Sequence, residues 1–249
     1  MTDRDTLHNH LNNLLEVVRF RDYGPNGLQV EGKREIKRVV SGVTASRALI
    51  EAAIAADADA ILVHHGLFWK GHDGRVTGWL KERLRLLLAH EINLFAYHLP
   101  LDAHAVLGNN AQWGNRLGLT ADARFGDQDL GFIGAADPHR DLASLTEHLQ
   151  KLAGRPPIVL PGDGRPLRRI AWCSGGAQGF FEAAIAAGAD VFLTGEISEP
   201  QAHYARETGV AFMACGHHAS ELYGVQALGS AIAAELGLHH QFIDIDNPA

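Results

Sequence analysis

Cysteine is nearly absent: Cys173 and Cys215 are the only two in 249 residues, too few for a disulfide framework and in keeping with a reducing compartment. Each is expected near a strand end, as a small buried hydrophobe. Long apolar runs are also missing, because Asp, Glu or His interrupts every stretch before it reaches the length of a membrane span. The amino-terminal Met1-Thr2-Asp3-Arg4-Asp5-Thr6 lacks the basic-then-apolar order of a secretory signal. A cytoplasmic protein with no membrane partner is therefore expected. Basic residues are in deficit, 22 Lys and Arg against 29 Asp and Glu, for a net charge of -7 and a pI near 6.1. That balance argues against a broadly nucleic-acid-binding surface and leaves room only for a local basic patch. Neither a Gly-x-Ser-x-Gly elbow nor a Cys-x-x-Cys pair occurs.

What remains is an ordinary globular composition, 46% hydrophobic and 20% charged, with chain enough for one large domain or two of usual size. Histidine is the exception, at 15 residues. The chain also repeats itself. At a shift of 131 residues, Arg38 to Gly66 matches Arg169 to Ile197 at 10 of 29 positions without a gap. The centre of the match sets Glu51 to Asp59 (Glu-Ala-Ala-Ile-Ala-Ala-Asp-Ala-Asp) against Glu182 to Asp190 (Glu-Ala-Ala-Ile-Ala-Ala-Gly-Ala-Asp). Alanine-rich helices match one another easily. The recurrence in one order of strand, helix, strand and polar cluster is what composition does not predict.

Leucines at 7, 11, 14 and 15 with Val18 keep helical spacing, which predicts one amphipathic helix near 5 to 20. Gly24, Pro25, Asn26 and Gly27 then forbid regular structure. Strands are predicted near 36–43, 59–63 and 92–97 with helices near 46–56 and 78–90. The second copy repeats the alternation, with strands near 168–173, 190–194 and 210–215 and helices near 177–187 and 198–208. A long helix to about 237 and a strand over 240–245 close the chain. Residues 120 to 165 hold a strand, a helix and a strand of their own. This is the pattern of parallel strands with crossover helices. The expected fold is α/β, with repeat units 1–125 and 126–249 packed closely and a metal site between them.

Ligands in open α/β sheets sit beyond the carboxyl ends of the strands, and there the histidines gather. His64-His65 follows one predicted strand and Glu196 follows its counterpart. His98 and Asp102 are four residues apart, as are His217 and Glu221. That spacing puts both side chains on one face of a helix. His64 and His65 can address different metals, Asp102 completes one shell, and Glu221, with two carboxylate oxygens, is the natural bridge between two ions. Imidazole with carboxylate suits Zn, Fe, Mn, Co or Ni without choosing among them. His98 and His218 are expected to hold ligands in place or move protons. A His-His pair by itself is more often a surface pair or a support for ligands than a ligand; two pairs at equivalent points of a duplicated scaffold, each with a partner carboxylate, reverse that balance. His104 and His203 have no such company and are expected to be exposed. The glycine-rich Ser174 to Gly179 is read as a tight turn before it is read as a phosphate cradle, and Asn109-Asn110 as a helix cap.

Several segments together resemble the Nif-three-like family. They are Asp22-Tyr-Gly-Pro-Asn-Gly-Leu-Gln-Val30, Gly42-Val-Thr-Ala-Ser46, Val63-His-His-Gly66, His98-Leu-Pro-Leu-Asp102, Leu107-Gly-Asn-Asn110, Thr194-Gly-Glu196 and Gly216-His-His-Ala-Ser-Glu221. Its members are often labelled GTP cyclohydrolase type 2 homologues. The resemblance implies internally duplicated three-layer α/β/α units with mainly parallel or mixed sheets. It also implies a dinuclear centre of two divalent ions per chain and a ring-shaped homohexamer, a trimer of dimers. By position, His64, Asp102 and Glu221 would bind one metal, and His65, His217 and Glu221 the other. The activity implied is hydrolysis of a nucleotide or related heterocycle, with GTP ring opening as the instance. The alternatives are a toroidal assembly associated with DNA repair and a protein of metal handling.

Overall fold

A computed structural model describes residues 1–249, and it divides into two compact units, each with its own core. The chain runs through β1 (Thr2–Asp3), α1 (Arg4–Leu14), β2 (Gly27–Val30), β3 (Glu35–Ile36), β4 (Arg38–Thr44), α2 (Arg47–Ala55), β5 (Ala60–His65), α3 (Gly78–Ala89), β6 (Asn93–Ala96) and α4 (Leu99–Ala103). It continues through α5 (Asn109–Arg116), β7 (Ala121–Phe125), β8 (Gly131–Ala135), α6 (Leu142–Ala153), β9 (Ile158–Leu160), β10 (Arg169–Trp172) and α7 (Phe181–Ala186). Then come β11 (Val191–Thr194), α8 (Glu199–Thr208), β12 (Ala211–Ala214), α9 (His217–Leu236) and β13 (His239–Phe242). Unit one is Met1–Gly108 with Gly224–Asp246, and unit two is Asn109–Tyr223 with Asn247–Ala249. These units follow contacts and interleave along the chain, whereas the 1–125 and 126–249 division follows the repeat. No helix is long and apolar enough to cross a membrane.

Unit one holds a five-stranded sheet in the order β13-β4-β5-β6-β2, parallel except for β2, which runs antiparallel to β6. Unit two holds six strands in the order β7-β8-β10-β11-β12-β9. Its centre β10-β11-β12 is parallel, and antiparallel strands flank it on both sides. The central strands are buried along their length, as in Ala60-Ile61-Leu62-Val63 and Val191-Phe192-Leu193-Thr194. Sheets covered on both faces use such near-continuous apolar runs. The cores follow suit, with Val40, Ile61 and Leu94 among the buried side chains of unit one and Ile170, Val191 and Met213 among those of unit two.

The duplication is visible in the hydrogen bonds. Asp59 Oδ2 accepts from the main-chain N–H groups of Lys37 (2.9 Å) and Arg38 (3.1 Å). Asp190, 131 residues on, accepts from Arg168 (2.8 Å) and Arg169 (3.0 Å). Each aspartate thus ties the entry of one parallel strand to the start of its neighbour, satisfying main-chain donors the ladder leaves over. Burial alone would raise the Asp59 carboxyl, but the Lys37 and Arg38 N–H groups and the Lys33 ammonium outweigh it and hold the group below the usual carboxylate range. Asp59→Ala is expected to cost about 1–3 kcal/mol near neutral pH by orphaning two donors. A lowered carboxyl stabilises the fold above its unfolded value of about 3.9, and the contribution fades as pH falls through the folded value. Urea denaturation at pH 7 and pH 3 checks both statements, since the gap between wild type and variant should narrow in acid.

Several local expectations need correction. The first helix stops at Leu14, because Glu16 turns into the left-handed region at φ 50° and a short 3-10 turn, Val17–Arg19, follows. Leu7, Leu11 and Leu15 are buried as their spacing requires, while Val18 falls beyond the break and is exposed. The 120–165 segment has two strands before its helix, β7 and β8, which pair antiparallel. The segment near 177–187 opens with a 3-10 turn, Gln178–Phe180, before α7. Asn109 and Asn110 are fully buried. Asn110 lies inside α5, and its bonds reach other segments: its Oδ1 accepts from Ser174 N–H (2.7 Å), its Nδ2 donates to the Leu130 carbonyl (3.1 Å), and its own carbonyl accepts from the Trp172 indole (2.8 Å). His104 is half-buried, its Nδ1 accepting from the N–H groups of Val106 (3.2 Å) and Leu107 (3.0 Å). His203 is exposed and pairs with Glu199 at 2.7 Å, and Cys173 and Cys215 are buried thiols.

Candidate metal centre

In unit one, β5 carries His64 and His65 to its carboxyl end, and the loop after β6 brings up His98. Potential ligand atoms of these three histidines lie within 4.8 Å of one another. Each ring is held by one nitrogen. His64 Nδ1 lies 2.9 Å from the Tyr97 carbonyl, an acceptor only, so that nitrogen carries the proton and Nε2 keeps its lone pair. His65 Nδ1 is 3.1 Å from Thr44 Oγ1. His98 Nδ1 is 2.7 Å from Asp22 Oδ1. The Asp22 side chain is buried and anchored: its carboxylate accepts from Leu99 N–H (2.9 Å) and from Asn26 Nδ2 (2.8 Å), while Asn26 Oδ1 accepts from His98 N–H (2.7 Å). Burial alone would raise the Asp22 carboxyl; the bond to His98 and its positive charge reverse that and lower it.

Asp102 lies on α4 and is buried, its Oδ1 3.5 Å from His64 Nε2. That separation is long for a charge-assisted hydrogen bond. It matches two ligands on one tetrahedral ion, whose donors at about 2.1 Å each stand about 3.4 Å apart.

Unit two repeats this logic with different residues. His217 opens α9, its Nδ1 2.6 Å from Glu196 Oε1 and its Nε2 3.3 Å from Glu221 Oε2. Glu221 is buried, 2% exposed. Burial alone would lower the His217 imidazolium, but Glu221 on one nitrogen and Glu196 on the other outweigh it and raise the group to about 9. A half-buried histidine between two carboxylates holds a proton where a metal ion would carry the positive charge instead. The donor set in each unit therefore fits a divalent ion. The glycine-rich loop after β10 supports this half-site: Gly175 N–H donates to Ser220 Oγ (2.9 Å), and its carbonyl accepts from Gly195 N–H (2.8 Å) and Thr194 Oγ1 (3.1 Å). The tight-turn reading of Ser174 to Gly179 agrees with Gly175 at φ +68°. His218 is half-buried, with its main-chain N–H donating to the Ala249 carbonyl at 3.2 Å.

The two His-to-carboxylate spacings are not equivalent points of the duplicated unit. Tyr97 N–H donates to the Val63 carbonyl, and Cys215 N–H to the Thr194 carbonyl, so Tyr97 corresponds to Cys215. His98 then corresponds to Gly216, and Asp102 to Ser220. His98 caps α4 from outside while His217 is the first residue of α9. The true counterpart of His65, by the 131-residue shift, is Glu196. Sequence reasoning recognised Glu196 as metal-binding in type but left it out of the ligand set, and it missed Asp22 and Thr44. Asp22 stood in plain view in the turn-rich segment, where glycine and proline drew attention to the backbone.

Residues 2–248 match the family described as Duf34/NIF3 (NGG1p interacting factor 3). The chain belongs to that family. A relative in Neisseria meningitidis serogroup B, called "GTP cyclohydrolase 1 type 2 homolog", is 52% identical over 238 residues, 96% of each chain. Among solved structures, one described as "protein ybgI, unknown function" superposes with a TM-score of 0.96 at 42% identity over 100% of both chains. The Thermus thermophilus protein TTHA1606 gives 0.91 at 35%, again over 100% of both. The Nif-three-like resemblance and the duplicated α/β fold it implied are borne out.

Glu196→Gln is expected to weaken metal binding about 10- to 100-fold, the range for losing a carboxylate that orients a ligand histidine. Competition with a chromophoric chelator measures it; an affinity equal to wild type would mean that Glu196 does not support His217.

Proposed function

We propose that this family member is a metal-dependent hydrolase acting on a nucleotide or a related heterocycle. In this reading His64, Asp102 and Glu221 would hold one divalent ion, and His65, His217 and Glu221 another. The observation that carries it is the repeated ligand geometry: His64 and His217 each have Nδ1 committed to the protein and Nε2 facing a buried carboxylate at 3.5 and 3.3 Å. When bound, two such ions supply Lewis acidity and lower the pKa of water. The chain's part is to hold the ligands rigid and to move protons. His98 is suited to the second task, since Asp22 fixes its ring beside His64 at a centroid separation of 5.0 Å. His218 is the other proton carrier in this reading. The names of the curated relatives direct attention to GTP, in which one water would add at C8 of guanine and open the ring to a formamide, and a second would hydrolyse that formamide to release formate.

The test is formate release from GTP by protein reconstituted separately with Mn, Fe, Zn, Co and Ni. Turnover that requires metal and vanishes in Glu221→Gln is expected. Rates indistinguishable from that variant with all five metals would remove GTP hydrolysis as the activity.

A further inference from the structure

Unit two contains a cavity of about 430 Å³ lined by Arg155, Pro156, Ile158, Glu196, Ile197 and Pro248, among others. Its volume falls within the range of small-molecule sites. The walls are largely apolar, and Ile158 is left 55% exposed, a large hydrophobe with no protein cover. The polar groups are few and differ in their commitments. Glu196 is engaged, with Oε1 on His217 Nδ1 at 2.6 Å. Arg155 is not. Its guanidinium donates to the Pro248 main-chain carbonyl and meets no carboxylate. Arg4, Arg19, Arg34, Arg47, Arg165 and Arg169 each pair with an acid. A half-buried guanidinium with spare donors, in a concave apolar site of an acidic protein, is a receptor for a planar or tetrahedral oxyanion.

We infer that this cavity binds an organic anion, a phosphate monoester or a carboxylate, with its charged group on Arg155 and its apolar body against Pro156, Ile158 and Ile197. Glu196 lines the same cavity and holds His217, so the ligand lies beside the metal half-site of unit two. The inference rests on the hydrolase reading for the ligand's role as substrate; its binding test does not. The single cation also sets the ligand's charge: one anionic group is neutralised here, and a triphosphate would need further cations.

The experiment is calorimetric titration of phenyl phosphate into the purified full chain, compared with Arg155→Gln, Arg155→Lys and Glu221→Gln. Saturable binding is expected in wild type and in Glu221→Gln. Arg155→Gln should weaken it about 10- to 100-fold, the cost of a charge-assisted hydrogen bond, and Arg155→Lys should fall between. Thermal melting checks that the variants fold, and the Arg155→Lys value decides if Arg155→Gln does not. Equal affinity in Arg155→Gln and wild type, or no binding in wild type at millimolar ligand, overturns the inference. Loss of binding in Glu221→Gln with none in Arg155→Gln places the ligand on the metals, overturning the inference while leaving the hydrolase reading intact.

Discussion

Replacing Glu221 with glutamine is expected to lower the metal content of the purified protein from the proposed two ions per chain to one or none, with affinity reduced on the order of 100-fold or more. The lower bound comes from the 10- to 100-fold cost of losing a group that merely orients a ligand; Glu221 is proposed to bind both ions itself. Its carboxylate is buried and lies 3.3 Å from His217 Nε2. Glutamine keeps the shape but removes the charge and turns one ligand oxygen into an NH2 donor. Metal content by plasma mass spectrometry, on protein purified without chelator, decides the matter. Two ions retained in the variant would mean that Glu221 is not a ligand. A pH effect accompanies this. Because the two carboxylates raise His217 to about 9, a proton competes with the metal at this nitrogen below that pH. Each ion bound there displaces one proton, and apparent affinity should fall about tenfold per pH unit. In Glu221→Gln one of the two raising carboxylates is gone, so the competing proton is held less firmly.

Gly175→Ala is expected to do nearly as much damage without touching a ligand. Gly175 sits at φ +68°, where a side chain costs about 1–3 kcal/mol. The added methyl would also fall inside the contact envelope of Glu221 Oε1 and stand 3.2 Å from His217 Nε2. The glycine cannot retreat, because its N–H is bonded to Ser220 Oγ and its carbonyl to Gly195 N–H and Thr194 Oγ1. The carboxylate must therefore move. Both melting temperature and metal content should drop. Gly176→Ala is the control, since a methyl there meets Glu196 Oε2 only at 3.5 Å, an ordinary contact. Equal stability and metal content in the two variants would mean that the loop does not position Glu221.

The family, the α/β class and the duplication were legible in the chain because each depends on local pattern. Strand-helix alternation is written in apolar period, and the repeat survives in Asp59 and Asp190, whose carboxylates serve the same two main-chain donors in each copy. The candidate donors stood out for a related reason: few tasks need histidines and carboxylates clustered after strands.

Three-dimensional packing decided the rest. Only the fold chose which nitrogen of each histidine faces the protein, through Tyr97 O, Thr44 Oγ1, Asp22 and Glu196. These partners come from distant points of the chain, Asp22 lying 76 residues from His98, and no periodicity links them. The strand registers likewise set His98 against Gly216, where spacing alone set it against His217. A sequence states which side chains are available and at what local interval. Orientation, tautomer and the boundary of a cavity are properties of groups brought together from afar, and they exist only once the sheets have closed.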